Sequence, residues 1–213
     1  MKKLIPLVLA LCMLIAPISA DEQGVSTVAP LPEETVSPEV VFLAGSVPAD
    51  AALMDAIGLP IHALVLSMTE HEFTYEPQSA PFVWNALYYA LSMFGEADDR
   101  AELTQEALLL PSESVDDFFR ALFAGLDALP ALPEQMDGFV SYDAGSDMYR
   151  LSLGDFALTQ IQLGQLTAQE NGTFTVDGTL TTPEDSAPLS SFRVTLTEND
   201  TMFGFSILDV SLF

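Results

Sequence analysis

PFVWNALYYALSMF, residues 81–94, decides the fold, because no face of it wants water. Its only strongly polar side chains are Asn85 and Ser92. Read as a helix, it begins with Pro81 in the first turn, where a missing N–H costs nothing, and stops at Gly95, a residue suited to a C-terminal cap. A helix that is apolar all round is either a central core helix or a membrane span. Fourteen residues cover roughly 21 Å, well short of a hydrocarbon core of about 30 Å. The stretch is therefore expected to be buried in the core, with the rest of the chain arranged around it.

The chain has 213 residues, and the first 20 read as a secretory signal. Lys2 and Lys3 form the positive region, residues 4–15 the apolar region, and Ile18-Ser19-Ala20 a small-residue cleavage site before Asp21. Lipid attachment at Cys12 is not expected, because the preceding Leu11 is too large for that processing signal. Cys12 is the only cysteine and would leave with the signal. The mature chain would then have no thiol, and its core alone would hold it together, a usage that suits export from a Gram-positive bacterium. Removing the two lysines takes the formal net charge from −25 to −27. A field of that sign repels nucleic acid and anionic membrane surfaces and favours solubility, while a basic partner or a cation would be compatible with it. With no lysine left, Schiff-base chemistry is excluded.

Residues 21–48 are acidic, proline-rich and without periodicity, and read as a spacer, with residues 40–43 as one apolar run that would dock on the domain. Residues 49–213 read as a single α+β domain. Residues 49–57 look like a short helix ended by Gly58, and Pro60 opens a second segment to His71 that reads as a helix, with Ile61, Leu64, Val65 and Met68 at helical spacing and a strand as the alternative. After Gly95, Asp98 is placed to cap a short helix. Residues 107–110 are a continuous apolar run that fits a helix or a buried strand. Ser112 is expected to cap a helix to about Leu129, with Val115, Phe118, Phe119, Leu122, Phe123 and Leu126 as its apolar stripe. Beyond Pro130 and Pro133 the pattern is β. Asp143-Ala144-Gly145-Ser146 turns between two short strands, and Asn171-Gly172 signals a hairpin. Phe174, Val176 and Leu180 alternate with polar residues, and Phe192, Val194 and Leu196 repeat that pattern. Residues 201–210, apolar on both faces, are expected to form a central strand.

Helices first and hairpins last describe a segregated α+β domain, N-terminal helices packed on an antiparallel sheet. This order over residues 49–213 resembles the NTF2-like (cystatin-like) superfamily, whose curved sheet wraps a helix as a cone. The resemblance is architectural. It implies a cone-mouth pocket and assigns no residue a role, since the superfamily includes enzymes, ligand binders and scaffolding modules.

Four groupings carry potential chemistry. Asn85, Tyr88, Tyr89 and Ser92 are three, four and seven residues apart and share a helix face, so they are the candidate ligand-binding residues. The plainer alternative is that they satisfy nearby backbone at the core's edge. Glu70-His71-Glu72, with His62 nine residues earlier, has the residue types of a general base or metal site. Its adjacent side chains diverge on a helix, which favours a solvated helix end. The acidic turns Asp143–Asp147 and Glu198-Asn199-Asp200 lack a calcium-loop pattern. The four arginines are isolated, and Arg150 with Arg193 would grip a carboxylate only if they shared a sheet face. No catalytic motif, metal ligand set or cofactor signature is present. These features lead to the expectation of an exported, non-catalytic module that binds a small molecule or a protein, without nucleic-acid or membrane partners. The alternative is an enzyme with an NTF2-like pocket that uses carboxylate acid–base chemistry.

Overall fold

The computed structural model describes residues 51–183 and 187–213, with side chains from residue 54 onward. The signal at residues 1–20, the spacer at 21–48 and the apolar run at 40–43 lie outside the described residues.

Three helices precede most of the sheet. Helix α1, Ala51–His71, is continuous where two helices were expected, running through Gly58 and Pro60. A proline inside a helix costs about 3 kcal/mol through its missing hydrogen bond and its clash with the preceding turn. Burial decides against the break. Ile57, Ile61, Leu64, Val65, Leu66 and Met68 are each at most 1% exposed, and each contributes roughly 1.5–3 kcal/mol on burial. Every residue from 63 to 68 is buried, which only a helix surrounded on all sides achieves. This half of α1 is therefore as central as the stretch the sequence singled out. Glu72, in the left-handed region at φ 55°, ends it.

Helix α2, Ala80–Phe94, is the expected core helix, with Pro81 in its first turn and nine buried residues including Trp84. Gly95 stops it for a reason other than the one expected. Its φ of −62° is right-handed, and the chain continues into a 3-10 turn, Gly95–Ala97, with Asp98 following that turn rather than opening a helix. A Cβ on Gly95 would meet Leu108 Cδ2 at 2.9 Å and Leu110 Cδ1 at 3.0 Å, so the glycine is required by close packing. Helix α3, Ser112–Leu122, buries Val115, Phe118, Phe119 and Leu122 as read. It ends about two turns early, because Phe123 turns to an extended conformation and Gly125 to φ 78°. Phe123 stays in the core, packed among Tyr75, Phe82 and Phe119. Ser112 does not cap α3, and its hydroxyl donates to Asp147 instead (2.8 Å).

The strands form two antiparallel sheets. In the first, β1 (Glu102–Leu103), β2 (Ala107–Pro111), β3 (Val140–Asp143) and β4 (Met148–Ser152) lie in the order β1-β2-β4-β3. The run at residues 107–110 is thus a buried strand, with Leu108 opposite Leu151. The turn between β3 and β4 is held by Asp143, which accepts from the Gly145 N–H and the Ser146 hydroxyl. In the second sheet β5 (Gln160–Leu163), β7 (Phe174–Thr181), β8 (Pro188–Glu198) and β9 (Phe205–Leu212) follow one another, and β6 (Thr167–Ala168) also pairs with β7. Val176, Leu180, Phe192, Val194 and Leu196 form its buried face, as their alternation requires.

The last strand departs from expectation, since β9 is an edge strand. Its apolar residues on both faces have two causes. A register shift between Thr195 and Leu196 changes the alternation along β9. Its outer edge is also covered, because the Ile207 carbonyl accepts from the Ala124 N–H (2.8 Å) and the Tyr75 hydroxyl (3.0 Å). Among the described residues, no helix is long and apolar enough to cross a membrane.

Candidate functional site

Two clefts open on α1. The one that gathers polar and aromatic groups lies where the end of α1 meets α2, and its volume is about 510 Å³. Asn85, Tyr88 and Tyr89 line it from α2, and Glu70 and His71 line it from α1. The antiparallel packing of the two helices brings residue 71 across from residues 85 and 89. The sequence treated these as two unrelated groupings, and the fold merges them.

Five side chains form a connected polar line. The buried Ser67 hydroxyl donates to Asn85 Oδ1 (2.7 Å). Asn85 Nδ2 lies 3.4 Å from His71 Nε2, and the same nitrogen lies 3.2 Å from the Tyr89 hydroxyl. The Tyr89 hydroxyl donates to Glu70 Oε2 at 2.5 Å. With its single proton given to Glu70, Tyr89 can only accept from His71, which requires a proton on Nε2. The Asn85 amide can donate to Nε2 only in the other tautomer, so one imidazole nitrogen serves one neighbour at a time. Burial, followed by the hydrogen bond and charge of Glu70, pushes the Tyr89 phenol well above its ordinary range. The proton therefore stays on Tyr89, which makes it a poor acid at neutral pH.

Aromatic rings form the rest of the wall. His71 stacks on Phe73 (ring centroids 5.3 Å apart) and meets Tyr89 edge-on (5.8 Å). Phe156 lies 4.7 Å from Tyr89 and 5.8 Å from Tyr88, and Phe139 lies 5.5 Å from Tyr88. Phe139 precedes β3 and Phe156 follows β4, so the first sheet delivers both rings to the helices. Phe139 is half exposed. Asp155 adds a second carboxylate to the lining, and no lysine or arginine is part of it.

The other sequence candidates fall elsewhere. Ser92, one turn beyond Tyr89, does not line the cleft, and its Oγ is shut off from solvent with no hydrogen-bond partner among the described residues. The Tyr88 hydroxyl donates to the Ser152 carbonyl (3.1 Å), which is the plain backbone-satisfying role, although its ring still faces the cleft. His62 belongs to the second cleft, of about 790 Å³, beside Met54, Asp55, Leu59, Ile161 and Leu163. There it hydrogen-bonds Thr159 Oγ1 (2.8 Å), and burial lowers its pKa. Asp143 and Asp147 use their carboxylates on turn donors and on Tyr142 and Ser112. Among the described residues, no three His, Cys, Asp or Glu side chains converge as a metal site would need. Arg150 and Arg193 lie in different sheets and pair with Glu106 and Asp177 respectively, so they do not grip a common ligand. Phe139, Asp155 and Phe156 escaped the sequence reading. Their signal is an aromatic residue just past a glycine, outside the strand alternation, in Gly138-Phe139 and in Gly154-Asp155-Phe156.

Compared with models of known protein families, with curated proteins and with solved structures, the chain matches none.

Proposed function

We propose that the chain is an exported, non-catalytic ligand-binding module whose site is the aromatic cleft between α1, α2 and the segment after β4. The observation that carries this reading is the convergence of six rings, two carboxylates and two side-chain amides from four separate segments on one concavity. Its volume lies in the usual range for small-molecule sites, and a mostly apolar wall with a few placed polar groups is their usual composition. Export rests on the N-terminal signal pattern. A small molecule is the partner of choice, and the charge of the mature chain argues against nucleic acid and anionic membranes. An NTF2-like cone remains a proposal that rests on element order, and the division into two sheets weakens it.

The enzymatic alternative draws on the Glu70–Tyr89–His71 line, which has the residue types of acid–base catalysis. Tyr89 is the weak point of that reading, since a phenol whose proton is held more tightly than usual is a worse donor at neutral pH. A thermal-melt screen against sugars, amino acids, organic cations and peptides tests the binding reading. A ligand at about 100 times its dissociation constant adds about 2.7 kcal/mol, which moves the midpoint of a domain this size by roughly 5–10 °C. The expected result is a hit whose shift disappears in Phe156→Ala. A silent panel, or a hit that survives Phe156→Ala unchanged, overturns the reading.

A further inference from the structure

We infer that the ligand of the aromatic cleft is a small organic cation, an ammonium or quaternary ammonium group on a body of modest size. The inference rests on the binding reading above and gives it a chemical class. Three observations point the same way.

The first is the ring arrangement. Tyr88, Tyr89, Phe139 and Phe156 line one cleft, and their contacting pairs are tilted or edge-to-face at 56–82°. Rings turned this way present both faces and edges to a shared space, and the faces carry the negative part of the aromatic quadrupole. A cation within about 6 Å of several such faces is held by all of them.

The second is uncompensated charge. Glu70 and Asp155 both line the cleft, and no guanidinium or ammonium does. Glu70 accepts a hydrogen bond from Tyr89, which solvates its charge without neutralising it.

The third is where the chain's own cations go. Every arginine is held by acids elsewhere: Arg100 by Asp98, Glu113 and Asp117, Arg120 by Asp116, Arg150 by Glu106, and Arg193 by Asp177. The only lysines are Lys2 and Lys3. Apart from the His71 imidazole, the cleft thus draws no countercharge from the described chain, and a cationic ligand supplies it. A sugar would use the ring faces but would leave both carboxylates, which are exposed, to solvent alone. An anion would meet two like charges and no donor cation.

The test uses choline, tetramethylammonium and dimethylbutanol, the uncharged carbon isostere of choline, each titrated calorimetrically into the purified protein. Choline should bind roughly tenfold or more tightly than the isostere, because only the charged probe gains the ring and carboxylate terms. Glu70→Gln and Asp155→Asn should each weaken choline several-fold, with a larger effect at low salt, and leave the isostere unchanged. Phe156→Ala should weaken both. Equal binding of choline and the isostere overturns the cation inference and leaves the cleft as a site. So does binding of neither probe when the wider panel yields a ligand that depends on Phe156. Choline binding that is indifferent to all three substitutions places it elsewhere and also overturns the inference. If neither these probes nor the panel bind, the binding reading falls together with the inference.

Discussion

Trp84 joins the central helix to the loop beneath it. Its ring is 1% exposed, packs near Tyr149 and donates from Nε1 to the Pro130 carbonyl (2.9 Å). Trp84→Ala removes this volume and orphans a carbonyl, and should cost about 3–5 kcal/mol in urea unfolding. A loss under about 1 kcal/mol would put the helix at the surface. Asp98 makes a different prediction, one that depends on pH. Its side chain is 6% exposed and bonded to Arg100, whose guanidinium holds the carboxyl well below the usual carboxylate range. The Ser114 hydroxyl, buried nearby, adds to the lowering, although its geometry falls short of a full hydrogen bond. Because the pKa is depressed in the folded chain, the unfolded chain takes up the proton first. The stabilisation is complete above about pH 4 and is lost as the pH falls below it. Asp98→Asn should therefore be less stable than the native chain at pH 7, with the gap closing on acidification. Parallel stability curves for the two proteins would mean that the ion pair contributes nothing.

At the scale of elements, local signals carried where one element's own pattern was enough. The β3–β4 turn, the alternation of β7 and β8 and the apolar stripe of α3 were all legible, because each follows from spacing along a few residues. The errors arise where tertiary context overrides or imitates a local signal. Gly58 and Pro60 read as a break because local propensity opposes a helix there, but burial on both sides of them is worth more. Residues 201–210 read as a central strand because a covered edge and a register shift leave the same apolar signature as a buried strand. Gly178 is a sheet position where packing again outweighs propensity. A Cβ there would lie 2.4 Å from Phe192 Cζ and 2.7 Å from the Gln162 carbonyl oxygen. Gly178→Ala should cost about 1–3 kcal/mol by straining the packing of Phe192 and the β5–β7 pairing, and a neutral result would show that Phe192 has room to move. The covered edge of β9 has its own check. Tyr75→Phe deletes the donor to the Leu122 and Ile207 carbonyls and should cost about 1 kcal/mol, with faster amide exchange along β9.

For the molecule as a whole, the candidate site was half legible. Asn85, Tyr88 and Tyr89 could be named because one helix face carries them. Glu70 and His71 could be seen as chemistry but not placed, since only the pairing of α1 with α2 brings them to Tyr89. Phe139, Asp155 and Phe156 come from loops of the first sheet, and no spacing rule connects such loops to a helix face. The acidic surface also acts at this scale. Raising the salt from about 0.01 M to about 0.15 M shortens the screening length from roughly 30 Å to roughly 8 Å. That should raise the melting temperature by relieving self-repulsion, whereas a fall would mean that the arginine pairs outweigh it. The central claim, that the aromatic cleft is the binding site, is tested most directly by mapping amide and aromatic NMR shifts while the first screening hit is titrated in. The largest changes should fall on residues 70–73, 85–89 and 153–156, together with Phe139. Changes centred instead on His62 and β5, or scattered along the sheet edges, would contradict it.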